Sequence, residues 1–298
     1  MQDFTGKVAV VTGTANPRGI GLAVCRRLAQ AGASVVLTDL DGDGAEARAA
    51  ELRAEGYDAA AFQADFGDYA SVTALADAVY ARYGKVHIIH VNHMAPTGLP
   101  GHGLLNADPD AWDVTVRVNL LGAVYGIKAF VPRMIAGGEH GHVLVTSSGA
   151  GNTGTMYGNA PYSVTKCAQV SLMECLHGQL RDANADIVAT VVFPGVTATM
   201  ATDELSQGTE ALIRATAFPG VVLMTPQNVA QYTYEAICND TFWAHPTIED
   251  DERLTGGTQA ATIEWEHDLW RTRMDAMVAR SDPSAYLWGP PSAVLGPS

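Results

Sequence analysis

Lys7-Val-Ala-Val-Val-Thr12-Gly-Thr-Ala-Asn-Pro-Arg-Gly19-Ile-Gly21 is an apolar, β-branched run that breaks into a glycine-rich turn and then a helical pattern. A half-exposed strand would alternate apolar and polar residues; this one does not, so it reads as a strand buried on both faces. Glycines let a backbone approach a pyrophosphate closely, and the helix N-terminus beyond them offers unpaired N–H donors and partial positive charge. Gly13, Asn16, Arg18, Gly19, Ile20 and Gly21 are therefore candidate cofactor-binding residues. The next apolar run, Ser34 to Asp39, ends on a carboxylate followed by Leu40. An acidic side chain there accepts hydrogen bonds from the ribose hydroxyls of NAD and repels the extra phosphate of NADP. Arg18 pulls the other way, because a cation in the loop can bind that phosphate. The balance favours NAD over NADP.

Outward from this unit, strands and helices alternate. Further strands are expected at Asp58 to Ala64, Val86 to Val91, His142 to Ser147 and Asp186 to Phe193. Helices are expected at Gly19 to Ala31, Gly44 to Glu55, Ser71 to Tyr83, Asp110 to Ile135 and Tyr162 to Arg181. That pattern predicts an α/β protein of the Rossmann type, a doubly wound parallel sheet covered on both faces. Beyond Gly195 it changes. Val196 to Phe218 carries no strand signal, Pro226 to Cys238 is a helix, and a short run from Thr241 to His245 follows. Residues 1–250 read as one dinucleotide-binding and catalytic domain. Residues 251–298 read as its C-terminal extension, with a helix at Thr262 to Arg280 and a proline-broken tail.

Composition narrows the function. The chain has 298 residues, 47% of them hydrophobic, and a formal net charge of −14. No run of Lys or Arg forms a basic patch, so a nucleic-acid partner is not expected. The four cysteines are scattered, which predicts free thiols and no metal site. No basic, apolar leader opens the chain, and no stretch reads as the roughly 18 apolar residues that cross a bilayer. The expectation is a cytoplasmic protein without a membrane partner.

Tyr162-Ser-Val-Thr-Lys166 places a phenol and an ammonium on one helix face. A nearby cation favours phenolate, so the pair could serve as a general acid/base. Alone, the spacing fits equally an exposed helical tyrosine beside a solvated lysine.

Taken in order, these motifs resemble the short-chain dehydrogenase/reductase family over residues 4 to about 245. Thr12, Gly13, Gly19 and Gly21 match its glycine loop, with two extra residues within Asn16-Pro-Arg18. The resemblance implies that Asp65, beside Phe66, meets adenine and that Asn92 supports the loop. It implies that Asn119 holds a proton-relay water and that Pro194, Gly195, Thr197 and Thr199 hold the nicotinamide carboxamide. It also implies catalytic roles for Asn119, Ser148, Tyr162 and Lys166. Ser148 would bond the substrate oxygen, Tyr162 would transfer the proton, and Lys166 would lower the tyrosine pKa and hold the nicotinamide ribose. Asn92-His93-Met94-Ala95 departs from the family's N-N-A-G and is expected to add bulk near that ribose. Phe130 to Gly138, Trp243-Ala-His245-Pro246 and the long C-terminal helix are similar to the branch with lignin aryl-ether Cα-dehydrogenases, which favours a bulky apolar or aromatic secondary alcohol or ketone.

The resemblance further implies a homodimer or homotetramer, with Val114, Leu121, Ile127, Ala168, Leu172 and Leu176 as apolar faces. Substrate contacts are expected from Pro96 to Leu105, Thr153 to Pro161 and Val196 to Phe218, including Met156, Tyr157 and Met200. Two alternatives stay open. One is an NADPH-dependent carbonyl reductase; the other is a dinucleotide-binding regulator on the same fold.

Overall fold

Strand β1 (Val8–Thr12) is buried along its whole length, as its unbroken apolar sequence requires. The computed structural model describes residues 1–95, 103–151, 158–195, 197, 199 and 224–245. Within them β1 is joined by β2 (Ser34–Asp39), β3 (Ala59–Gln63), β4 (Ile88–Val91), β5 (Gly141–Thr146), β6 (Ile187–Val192) and β7 (Trp243–Ala244). The strands form one sheet in the order β3-β2-β1-β4-β5-β6-β7, and every pairing is parallel. The chain thus builds outward from β1 on one side, then returns to build on the other. The crevice beyond the carboxyl ends of β1 and β4 is the switch point where such sheets bind ligands.

Helix ends are set by local chemistry. Asp41 caps α2 (Gly42–Ala54) by accepting from Gly44 N–H, and Asp68 caps α3 (Tyr69–Tyr83) in the same way through Ala70. Helix α3 stops at Gly84, whose φ of 73° suits glycine best. Helix α1 (Ile20–Gln30) differs, because its cap is Gly19 and makes no side-chain capping bond. Its apolar face, with Leu22, Cys25 and Leu28, shares a core with Val229 and Ile237 of α7 (Pro226–Cys238).

The expected helix from Asp110 to Ile135 is not uniform. It comprises α4 (Pro109–Thr115), a widened π segment (Val116–Leu121) and α5 (Gly122–Gly137). Such widened turns break the 3.6-residue period and often accompany functional positions. The membrane expectation also needs correction here. Pro109–Gly137 is long and apolar enough to cross a bilayer by length and composition. In the fold it buries Gly126, Phe130, Val131 and Met134 and packs on α3, β4 and β5.

At the amino ends of the strands, His87 Nδ1 accepts Val8 N–H at 3.0 Å. Its Nε2 lies 2.8 Å from Glu139. That bond, with Lys85, holds the Glu139 carboxyl down to about 2. The chain's contacts divide into Met1–Thr247 and Ile248–Ser298. The second unit, and with it the expected extension and tail, lies outside the described residues.

Glycine packing gives a test of the loop. A Cβ on Gly21 would lie 2.4 Å from Gly13 O and 2.9 Å from Asn92 Nδ2, so Gly21→Ala forces backbone apart. Overpacking of this kind costs about 1–3 kcal/mol. Urea unfolding should show that loss, whereas Gly137→Ala, with nothing within 4 Å of its Cβ, should leave stability unchanged or slightly raised. Equal midpoints for the two variants would contradict the packing.

Candidate active site

The site begins at the end of β5. Ser148 follows the strand, and Gly149–Gly151 form a short 3-10 turn with Gly149 N–H donating to Pro194 O at 3.1 Å. Helix α6 (Ala160–Asp182) lies directly against this turn. A Cβ on Gly151 would come 2.8 Å from Lys166 O and 2.4 Å from Ser147 Oγ, so the close approach requires glycine. Asn159 caps α6 through Tyr162 N–H, which sets the register of its first turns and places Tyr162 and Lys166 above the strand ends.

These parts converge. Ser148 lies close enough to the Tyr162 phenol to favour its ionised form. Lys166 is 2% exposed, donates from Nζ to Thr146 O at 2.8 Å, and has its ammonium 5.5 Å from the Tyr162 ring centroid. Burial pushes Lys166 down to about 7. Burial also raises the Tyr162 pKa, and Ser148 opposes that rise. In the free protein burial sets the direction of the Tyr162 shift. The same burial that disfavours phenolate also disfavours the ammonium that would stabilise it.

Asn119 joins the group from the π segment and is fully buried. Its Oδ1 accepts Ala95 N–H at 2.7 Å, its Nδ2 donates to Thr165 Oγ1 at 3.2 Å, and its carbonyl accepts from Gln169 Nε2 at 2.7 Å. Thr146, Thr165, Gln169 and Gly151 complete the arrangement and were not singled out from the sequence. Their bonds are tertiary, and no spacing rule marks them.

The cofactor candidates surround the switch point. Gly13 takes φ +71°, and a Cβ there would meet His93 Cα at 2.9 Å. Asp39 closes β2, with Oδ2 accepting Ala15 N–H at 2.9 Å and Oδ1 accepting Asp41 N–H at 3.1 Å. The loop insertion reaches across the crevice: Asn16 Nδ2 donates to Thr199 O at 2.6 Å, and Asn16 Oδ1 accepts Arg18 N–H at 2.9 Å. Leu40 is 65% exposed beside Asp39. Asp65 is exposed, with Oδ1 turned to Gly67 N–H. Phe66 is buried, with its ring against His93. Asn92 donates from Nδ2 to Thr12 O at 3.1 Å, the supporting role expected. His93 does not crowd the crevice as expected; its ring turns back to Thr12 and Val118.

The donor set fits a nicotinamide dinucleotide. An α1 N-terminus without a side-chain cap suits a pyrophosphate, and an oriented carboxylate at the end of β2 suits a ribose diol. Most of the expected substrate segments, including Met156, Tyr157 and Met200, lie outside the described residues. Of the expected oligomer faces, Leu176 is buried within the protomer at 6% exposure, whereas Val114 and Leu121 are exposed.

Far from this site, His140, His142 and Asp240 place one ligand-type atom each within 4.8 Å of one another. Asp240 Oδ1 lies 3.1 Å from both imidazoles and 3.0 Å from the Met1 ammonium. A search keyed on cysteine spacing passes over this histidine-based group.

The short chain dehydrogenase family matches residues 7–210. The 1-deoxy-11-beta-hydroxypentalenate dehydrogenase of Streptomyces avermitilis is 33% identical, over 88% of this chain and 90% of its own length. A C alpha-dehydrogenase of Sphingobium is 35% identical, over 58% of this chain and 55% of its own. A Burkholderia phymatum short chain dehydrogenase/reductase solved with NAD superposes with TM-score 0.73 at 27% identity, covering 92% of this chain and 97% of its own. A metagenomic short-chain oxidoreductase solved with NADP gives TM-score 0.66 at 28% identity, covering 82% and 99%. Switch-point loop, Ser148–Tyr162 pair and these likenesses together make the chain an oxidoreductase of the short-chain dehydrogenase/reductase family.

Proposed function

We propose that this protein interconverts a secondary alcohol and its ketone with NAD, on a bulky apolar or aromatic substrate. The observation that carries the reading is the convergence of Ser148 and the Tyr162 phenol beside buried Lys166, whose ammonium is 5.5 Å from the Tyr162 ring centroid. In this reading Gly13, Asn16, Arg18, Gly19, Ile20 and Gly21 hold the pyrophosphate, Asp39 and Leu40 the adenosine ribose, and Asp65 and Phe66 the adenine. Asn92, Pro194, Gly195, Thr197 and Thr199 flank the nicotinamide. When bound, the cofactor supplies the hydride donor or acceptor.

The protein's own residues position the substrate and move the proton. Ser148 donates to the substrate oxygen, and Tyr162 gives that oxygen a proton in reduction or removes one in oxidation. Lys166 stabilises the phenolate when it forms. The Asn119 carbonyl already accepts from Gln169 and keeps a second lone pair for a water relaying protons from Lys166.

Tyr162→Phe should lower turnover by at least about 100-fold, the scale of a lost general acid/base, while NAD still binds. Near-normal rates would contradict the assignment. The pH sign follows from burial. A phenol with raised pKa is protonated near neutrality, ready to act as an acid. Alcohol oxidation needs it deprotonated, so kcat/KM for oxidation should climb with pH above neutral while that for ketone reduction declines. A flat profile in both directions would overturn this.

Asp39 supports NAD, and the relatives solved with NAD and with NADP leave room for the NADPH reductase reading, which exposed Arg18 favours. Asp39→Ala should raise KM for NAD and relieve discrimination against NADP. No change in the ratio of the two would argue that Asp39 does not face the ribose. The aromatic preference rests on the C alpha-dehydrogenase likeness; hydroxylated alicyclic acids, as in the name of the pentalenate relative, belong in the same screen. Exposed Val114, Leu121 and Val164 suit a homodimer or homotetramer, and four free cysteines suit the reducing cytoplasm.

A further inference from the structure

Thr12 Oγ1 accepts two backbone N–H groups, from Asn92 at 2.8 Å and His93 at 3.0 Å. A hydroxyl has two lone pairs and one proton. That proton therefore points to the remaining partner, His93 Nδ1, at 2.8 Å. Nδ1 is thus an acceptor, and the ring's own proton sits on Nε2. Nε2 is 3.0 Å from Val118 O, which can only accept. The two bonds agree on one neutral tautomer. The ring packs against Phe66, with centroids 4.3 Å apart and the planes tilted by 35°. A Cβ on Gly122 would meet Nε2 at 2.6 Å and Phe66 O at 2.9 Å, so the imidazole lies against bare helix backbone. Burial pushes His93 down to about 4, which keeps it neutral.

Val118 is in the π segment, next to Asn119. Asn119 in turn bonds Ala95, Thr165 and, through its carbonyl, Gln169. Thr165 adjoins Lys166. A displacement of the π turn would therefore reach α6 at the residue beside the lysine.

We propose that His93, as its Nε2–H tautomer, is a positioning residue that pins the π turn to the end of β1 and so sets where Asn119, Lys166 and Tyr162 stand against the glycine loop. Its catalytic consequence rests on the dehydrogenase reading above; the pinning itself does not.

Two substitutions separate the roles. His93→Phe keeps a flat ring against Phe66 but has no donor for Val118. His93→Gln restores an N–H near the Nε2 position. For His93→Phe, kcat for alcohol oxidation should fall about tenfold or more, the scale of lost alignment, with the NAD dissociation constant and the melting temperature little changed. His93→Gln should recover most of that loss. Retained kcat in His93→Phe, or an equal loss in His93→Gln, would overturn the proposal. So would a loss of NAD affinity as large as the loss of kcat.

Two readouts need no turnover. Nitrogen-15 NMR of the wild-type protein should show neutral His93 protonated on Nε2, and Nδ1 protonation would overturn the assignment. Amide exchange between Val118 and Ala123 should quicken in His93→Phe and not in His93→Gln; unchanged exchange would overturn the pinning. If His93→Phe does not fold, Gly122→Ala makes the same test from the helix side, with the same faster exchange expected and unchanged exchange again contradicting it. Were the wild-type protein inactive on every alcohol tried, the functional reading would fail while these measurements still decided the role of His93.

Discussion

Three strand ends meet at one buried hydrogen-bond junction, and the site depends on it. Thr146, at the end of β5, donates its hydroxyl proton to Asn92 Oδ1 at 3.0 Å, so it must accept from His90 Nε2 at 2.7 Å. Asn92 passes the connection to Thr12 O and Gly13 O. The Thr146 carbonyl takes Lys166. The phosphate-type loop, the asparagine after β4 and the buried lysine are thereby fixed to one another before any ligand arrives. Leaving one of these buried groups unpaired would cost about 1–3 kcal/mol, which favours a single arrangement. His90 Nδ1 finds no partner among the described residues, and burial holds that imidazole neutral, near 3.

Electrostatics at the site run in opposite directions for its two titrating groups. Burial moves Tyr162 up and Lys166 down, and both shifts favour the neutral form. Ser148 beside the phenol offsets part of the cost of phenolate. This is a more specific picture than a lysine that depresses a tyrosine, and it follows from placing both groups under the same desolvation.

Much of the fold was legible because its signals are local. Unbroken apolar runs marked the strands: Ser34–Asp39 falls where expected, and β1 begins one residue late, at Val8 rather than Lys7. Pro226–Cys238 also matches, since proline and Thr225 open it and Asn239 and Asp240 end it. The π segment was not legible. Val116–Leu121 has ordinary helical composition, and its widening accompanies tertiary bonds made by Asn119 and Val118. The site followed the same rule. Tyr162, Lys166 and Ser148 stand together as motif order implied. Gln169, Thr165 and Gly151 had no motif to announce them, and His93 was misread as bulk in the crevice because sequence gives no direction for its ring.

The central claim is that Tyr162 and its neighbours serve hydride transfer between a carbinol carbon and a nicotinamide. The most direct measurement follows the hydrogen itself. Secondary alcohols deuterated at the carbinol carbon, aryl and alicyclic, would be incubated with the protein and NAD, and the reduced cofactor analysed by NMR. The account predicts deuterium at nicotinamide C4 for at least one alcohol, with the matching ketone formed in equal amount. Tight NAD binding with no deuterium transferred from any member of the panel would contradict it, and would favour a protein that senses the dinucleotide without turning it over.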